Sequence, residues 1–323
     1  MTGLAVLQAN QPPRRPYRGG PQIADFRGNA ATDDYSPEDW IASTTPLFGH
    51  TRLGLSELPD GRLLAAAIDS DPLAWLGPEH LATFGPNPRL LTKLLDAGER
   101  LFVHAHPDDR FAVRHHFANG KAEAWFIPAG GPIHLGLREP VSAEALLQLA
   151  VEQDTETLLE LLHEVRVEPG DVVAVPPGVL HAIGAGVFLV ELQQPADLSI
   201  LLEWKGFPLD GLADGNLGLG LDFAIQSVER TVRTDLRELI RPSGFGPSVL
   251  PTQMDGYMRL ERWAVIDRIV AQQGFAVLIV TGGAVQVGGT TLPRGTTAVV
   301  PYAAGDLELN GAGEVLIARP PRP

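Results

Sequence analysis

Between Leu101 and His106 apolar and imidazole side chains alternate, as Leu101-Phe102-Val103-His104-Ala105-His106, before a Pro107-Asp108-Asp109 turn. A period of two predicts a strand with His104 and His106 on one face and Phe102 just above them. Leu90 to Asp96 predicts the preceding strand, with a turn at Ala97-Gly98-Glu99-Arg100. Glu38 to Ser43, Val187 to Gln194 and Leu198 to Trp204 also have strand character. Asp71 to Leu76 and Pro78 to Phe84 predict short helices, each with a proline near its first turn. From Ser142 to Arg166 the period changes. Ala145, Leu146, Leu149 and Ala150, and then Leu158, Leu159, Leu161 and Leu162, fall at helical spacing, which predicts two helices with Thr155 as the cap of the second. A looser stretch from Lys205 to Gly256 is expected to hold one helix near 223–240. Short strands follow from Arg259 onward, with turns expected at Gly282-Gly283, Gly288-Gly289 and Asn310-Gly311. Residues 1–30, rich in Pro, Arg, Gly and Asn, read as an extended lead-in around the first domain.

Composition narrows the function classes. The chain has 323 residues, 44% of them hydrophobic, enough for one large or two ordinary domains with real cores. A net charge of −14 leaves no basic footprint for nucleic acid or an anionic membrane, and a phosphorylated ligand would need a local positive pocket. No apolar run reaches a membrane-spanning length and no export signal opens the chain, so a soluble, cytoplasmic protein is expected. There is no cysteine, which leaves His and carboxylate as the available metal ligands.

A lone His-x-His is a weak signal. A second stretch strengthens it: Gly170-Asp171-Val172-Val173-Ala174-Val175-Pro176-Pro177-Gly178-Val179-Leu180-His181 reads as turn, strand, Pro-Gly turn and a histidine opening the next strand. This spacing is that of the second cupin motif. Between the two lies Gly120-Lys121-Ala122-Glu123-Ala124-Trp125-Phe126, where Lys121, Glu123 and Trp125 share a face. His104, His106, Glu123 and His181 thus form a plausible site for zinc or another divalent first-row metal. All nine histidines lie at or before His181, so the chemistry belongs to the first domain. The expected fold is mainly β: two cupin-like jelly-roll barrels, 1–240 with the metal site and a helical insertion at about 142–164, and 241–323 without metal.

Taken together, these stretches, Leu91 to Ala97 and Glu191-Leu192-Gln193-Gln194 resemble the class I, cupin-type mannose-6-phosphate isomerases, in their short bacterial form. The resemblance covers nearly the whole chain. It implies zinc on His104, His106, Glu123 and His181, with His104 replacing a family Gln. Lys93 and Lys121 match family lysines, and Glu38, Glu191 and Asp197 match acidic residues near the substrate. Three further positions depart from the pattern: Phe102 replaces a Ser, Leu201 an Arg, and Arg18 a Trp. Losing a Ser and an Arg weakens a site for a dianion, which Arg18 and Lys93 are expected to offset in part.

The implied reaction moves a proton between adjacent carbons through an enediolate. A metal supplies Lewis-acid polarisation, and Lys121 and Glu191 are candidates for the proton transfers. A neighbouring cation is expected to lower the Lys121 pKa. Asp197 and Glu38 are placed as sugar-hydroxyl partners or as supports behind them. Two alternatives stay open: an isomerase of an unphosphorylated or otherwise different sugar, and a non-catalytic metal cupin that binds a sugar. The partner expected in each case is a small sugar or sugar phosphate.

Overall fold

The computed structural model describes residues 3–30 and 33–323. Three sheets carry the chain, and their pairings are antiparallel. A six-stranded sheet is built on Leu91–Asp96, Glu123–Ala129 and Phe188–Gln193, with Glu38–Ile41 at one edge and Ile240–Pro242 at the other. Lys93 lies opposite Glu191, which lies opposite Trp125. Register partners share a face, so Lys93, Glu191, Trp125 and Glu123 all project from one side. A five-stranded sheet holds His104–Ala105 between Ile200–Leu201 and His181–Ile183. His104 is directly opposite His181, and Leu201 opposite His104. His181 of this sheet and His106, just beyond the His104–Ala105 strand, meet Glu123 of the first, which is where the candidate site forms.

Period-two runs flank each other across both sheets, with Leu94, Trp125, Ile127, Val173 and Leu192 wholly buried. Removing this much apolar surface from water is the main force that holds the strands in register. The third, seven-stranded sheet contains the C-terminal strands, and Gly288-Gly289 forms the expected hairpin turn, with both residues at positive φ.

Several expectations change. Gly282-Gly283 and Asn310-Gly311 are not turns. They lie inside two long paired strands, Ala276–Val287 and Leu307–Arg319. A Cβ on Gly283 would stand 2.3 Å from the Ala312 carbonyl oxygen, so glycine there permits close strand approach. The second inserted helix stops at Glu160, and Leu162–Val167 is a strand, because the sheet edge at Gly131–Leu137 captures its backbone. Asp154, not Thr155, caps that helix. The helix expected at 223–240 is one turn, Leu221–Ala224, followed by a 3-10 turn at Ile225–Ser227. The lead-in also reaches further than expected: Ala5–Leu7 pairs with Thr297–Val300 of the C-terminal sheet.

Candidate active site

His104, His106 and His181 come together with their rings stacked edge to face or tilted, centroids 4.1 to 5.0 Å apart. All three are buried. Each Nδ1 lies within hydrogen-bond distance of a backbone carbonyl: Phe102 at 2.9 Å, Leu198 at 2.7 Å and Val179 at 2.9 Å. A carbonyl only accepts, so Nδ1 carries the proton and each Nε2 presents its lone pair. One ring nitrogen from each lies within 4.8 Å of the others.

Glu123 closes the fourth side. Its Oε1 is 2.8 Å from His106 Nε2, and its Oε2 is 3.8 Å from His181 Nε2. Two acceptors at 2.8 Å repel unless a proton or a cation lies between them. Burial, then the neighbouring His106, pushes the His181 pKa down to about 3, and burial lowers that of His106, so protonation is disfavoured. His181 Nε2 is buried without a hydrogen-bond partner. The donor set therefore fits a divalent cation, with backbone carbonyls fixing the imidazole tautomers as they do behind metal-bound histidines.

The loop behind the site is braced by its own acids. Asp108 caps the helix Asp109–Arg114, and Asp109 Oδ1 accepts from Gly120 N at 2.8 Å and Gln194 Nε2 at 2.9 Å. A Cβ on Gly120 would fall 2.5 Å from Pro107 O, so only glycine lets the loop pass there and deliver Lys121. On the other side Glu203 holds Arg100 by two bonds of 2.6 and 2.7 Å and accepts from Val103 N at 2.9 Å, which pins the histidine strand.

Lys121 Nζ stands 2.8 Å from Glu123 Oε1 and 3.4 Å from His106 Nε2. Burial works against its charge, but Glu123, Glu191 and Asp197 outweigh it and raise its pKa. These three carboxylates set the direction of the shift in the chain by itself; the expected lowering belongs to a bound cation. Glu191 goes the other way. Burial and then the negative Glu123 push its carboxyl well above the ordinary range, against the pull of Lys93 and Lys121, and its Oε1 is buried without a partner.

Glu38 is surrounded by donors: Arg15 Nε at 2.9 Å and the Tyr17 hydroxyl on Oε1, Trp40 Nε1 at 2.6 Å and Lys93 Nζ at 3.5 Å on Oε2. Although burial opposes it, these donors hold the carboxyl well below its usual value. With its acceptor sites engaged, Glu38 positions Arg15 and Lys93. Asp197 supports Arg15 from 3.5 Å and accepts from Phe48 N.

Arg18 stands elsewhere. Its side chain is exposed against Tyr35, while its backbone braces the Gly98–Glu99 turn. Arg15, three residues earlier, is the arginine that lines the cleft, together with Tyr17 and Ser199. Sequence reasoning passed over these three, and the Arg-Pro-Tyr spacing of 15–17 was the only signal available. Phe102 also lines the cleft, edge-on to Tyr17, His104 and Phe207. The free space among these residues is about 40 Å³.

No family model matches the chain. Curated relatives do. The mannose-6-phosphate isomerase of Streptococcus mutans is 32% identical over 186 residues, 55% of this chain and 54% of its own length. Mannose-6-phosphate isomerase ManA of Bacillus subtilis is 27% identical over 315 residues, covering 93% of this chain and 94% of the relative. The chain is similar to proteins named mannose-6-phosphate isomerase. The match spans about half the length of the Streptococcus protein and nearly all of the ManA protein. Solved structures share the fold: the B. subtilis mannose 6-phosphate isomerase has a TM-score of 0.74 at 22% identity, covering 99% of this chain and all of that one. The apo form of the Salmonella typhimurium enzyme has 0.75 at 16%, with the same coverage.

Proposed function

We propose that this chain is a metal-dependent aldose–ketose isomerase that interconverts mannose 6-phosphate and fructose 6-phosphate. The observation that carries it is the joining of three tautomer-locked imidazoles and Glu123 with a charged Lys121 and a raised Glu191 in one cleft. His104, His106, Glu123 and His181 would hold the metal, zinc by default. When bound, the metal polarises sugar oxygens as a Lewis acid.

The chain's own residues handle the protons. Glu191, whose raised carboxyl makes it the stronger base when ionised, takes the proton from C2 of the aldose while Lys121 donates to the developing oxyanion at C1. The resulting enediol is completed to the ketose when the C2 hydroxyl returns its proton to Lys121 and Glu191 delivers its own to C1. Arg15 and Lys93, held by Glu38 and Asp197, supply the positive charge missing at Leu201 and take the phosphate; Arg18 lies on the surface. Two jelly-roll barrels of the cupin type, 1–240 and 241–323, house this site and a metal-free partner, with Ala5–Leu7 crossing between them.

Phe102 favours a second reading, an isomerase of an unphosphorylated sugar, because its ring fills a place where a hydroxyl would meet the substrate. Turnover of the metal-loaded protein on mannose 6-phosphate and on mannose, with a chelated control, separates the two. A strict need for the phosphate supports the first reading. Activity on neither sugar removes both.

A further inference from the structure

A second polar cavity, about 330 Å³ in volume, lies where the helices Pro72–Leu76 and Pro78–Phe84 meet the C-terminal sheet, and it shares no lining residue with the cleft. Arg259, Arg319 and Arg322 line it, with Glu79, Glu261 and the final residue Pro323 also in its lining. Arg259 and Arg319 are register partners on adjacent antiparallel strands, so their side chains rise from one face. Like charges placed so repel unless an anion lies between them.

Glu261 neutralises Arg319 and leaves the charges of Arg259 and Arg322. One of its oxygens is taken by Arg319 and the other by Trp263 Nε1 at 2.8 Å. Arg319 spends its remaining donors on the carbonyls of Gln272 and Gly274. Arg259 donates Nε to Pro320 O at 2.9 Å and forms no ion pair within 4.0 Å among the described residues. Burial, then the fields of Arg319 and Arg322, lowers its pKa to about 10. In a chain of net charge −14, a half-buried guanidinium with two like neighbours and a free fork is a local exception. The cavity is also within the size of small-molecule sites, and Gln272 and Gln273 add polar lining.

We propose that this cavity is a second ligand site, which takes a small phosphate-bearing anion on the guanidinium forks of Arg259 and Arg322. The inference is independent of the isomerase reading. The planar fork matches two phosphate oxygens, and the anion removes the repulsion between the strand ends. Because the cavity is walled by both the helices and the C-terminal sheet, its ligand also ties the two together.

The test is calorimetric titration of the metal-loaded protein with inorganic phosphate and, separately, glycerol 3-phosphate. Four forms are compared: the parent, Arg322→Gln, Arg259→Gln/Arg322→Gln, and Lys93→Met. Arg322 is exposed, so its replacement leaves the fold intact if the double variant proves unstable. The expected result is binding at least about tenfold weaker in Arg322→Gln, undetectable in the double variant, and retained in Lys93→Met. Tighter binding of the ester identifies a phosphorylated metabolite, and tighter binding of inorganic phosphate identifies free phosphate. Unchanged isotherms in both arginine variants, loss of binding in Lys93→Met alone, or no heat from either probe up to about 10 mM overturns the proposal.

Discussion

Replacing Glu38 by Gln tests the claim that this carboxylate positions the cationic wall of the cleft. Four donors converge on its two oxygens, two to each. An amide oxygen keeps at most one pair of them, and the amide NH2 turns toward the other pair, donor against donor. Lys93, buried and stacked 4.6 Å over the Trp40 ring, then has no carboxylate partner, while Arg15 keeps only Asp197 at 3.5 Å. Breaking a buried pair from one side costs about 3–5 kcal/mol. With an unfolding entropy of about 2.1 cal/mol/K per residue, 4 kcal/mol corresponds to a fall in Tm of roughly 6 °C for a chain of this length. The sign with pH follows from the lowered carboxyl. The native form binds this proton less readily than the unfolded chain, so the stabilisation is complete above the ordinary carboxylate range and is lost as pH falls below it. Urea unfolding of the parent and Glu38→Gln at several pH values below neutrality reads this directly. The parent's advantage is expected to be greatest near neutrality and to shrink steadily in acid. A variant within about 0.5 kcal/mol of the parent, with a parallel pH curve, would refute the reasoning.

Other outcomes follow from the same geometry. His181→Ala is expected to weaken zinc binding by more than about 100-fold in a competition with a chromophoric chelator, and unchanged affinity removes it from the ligand set. Lys121→Met and Glu191→Gln are each expected to lower turnover by about 10²–10⁴ with bound metal, measured by elemental analysis, unaltered. Loss of metal instead would make them supports of the ligands. Glu203→Gln leaves a single acceptor oxygen, so Val103 N and both arms of the Arg100 fork cannot all be kept, and is expected to loosen the histidine strand enough to weaken metal binding by about tenfold. Metal binding as tight as the parent's would show that the strand is held without it.

The chain by itself determined which residues could do chemistry. The absence of cysteine confined metal ligation to His and carboxylate, and the period of two put His104 and His106 on one face before any fold was known. Alternation also placed Lys121, Glu123 and Trp125 together, because side-chain direction in a strand is a local property. Only the tertiary structure decided what these groups feel. The sign of the Lys121 shift depends on Glu123, Glu191 and Asp197, which arrive from different segments, and the choice of Arg15 over Arg18 depends on how residues 15–20 cross the sheet edge. Glycine pairs mislead for the same reason. Gly288-Gly289 turns the chain while Gly282-Gly283 lets two strands meet, and the difference lies in the partner strand rather than in the glycines. Local patterns report side-chain direction and backbone freedom, whereas charge, burial and pairing are set by neighbours distant in sequence, which only the folded chain brings within reach.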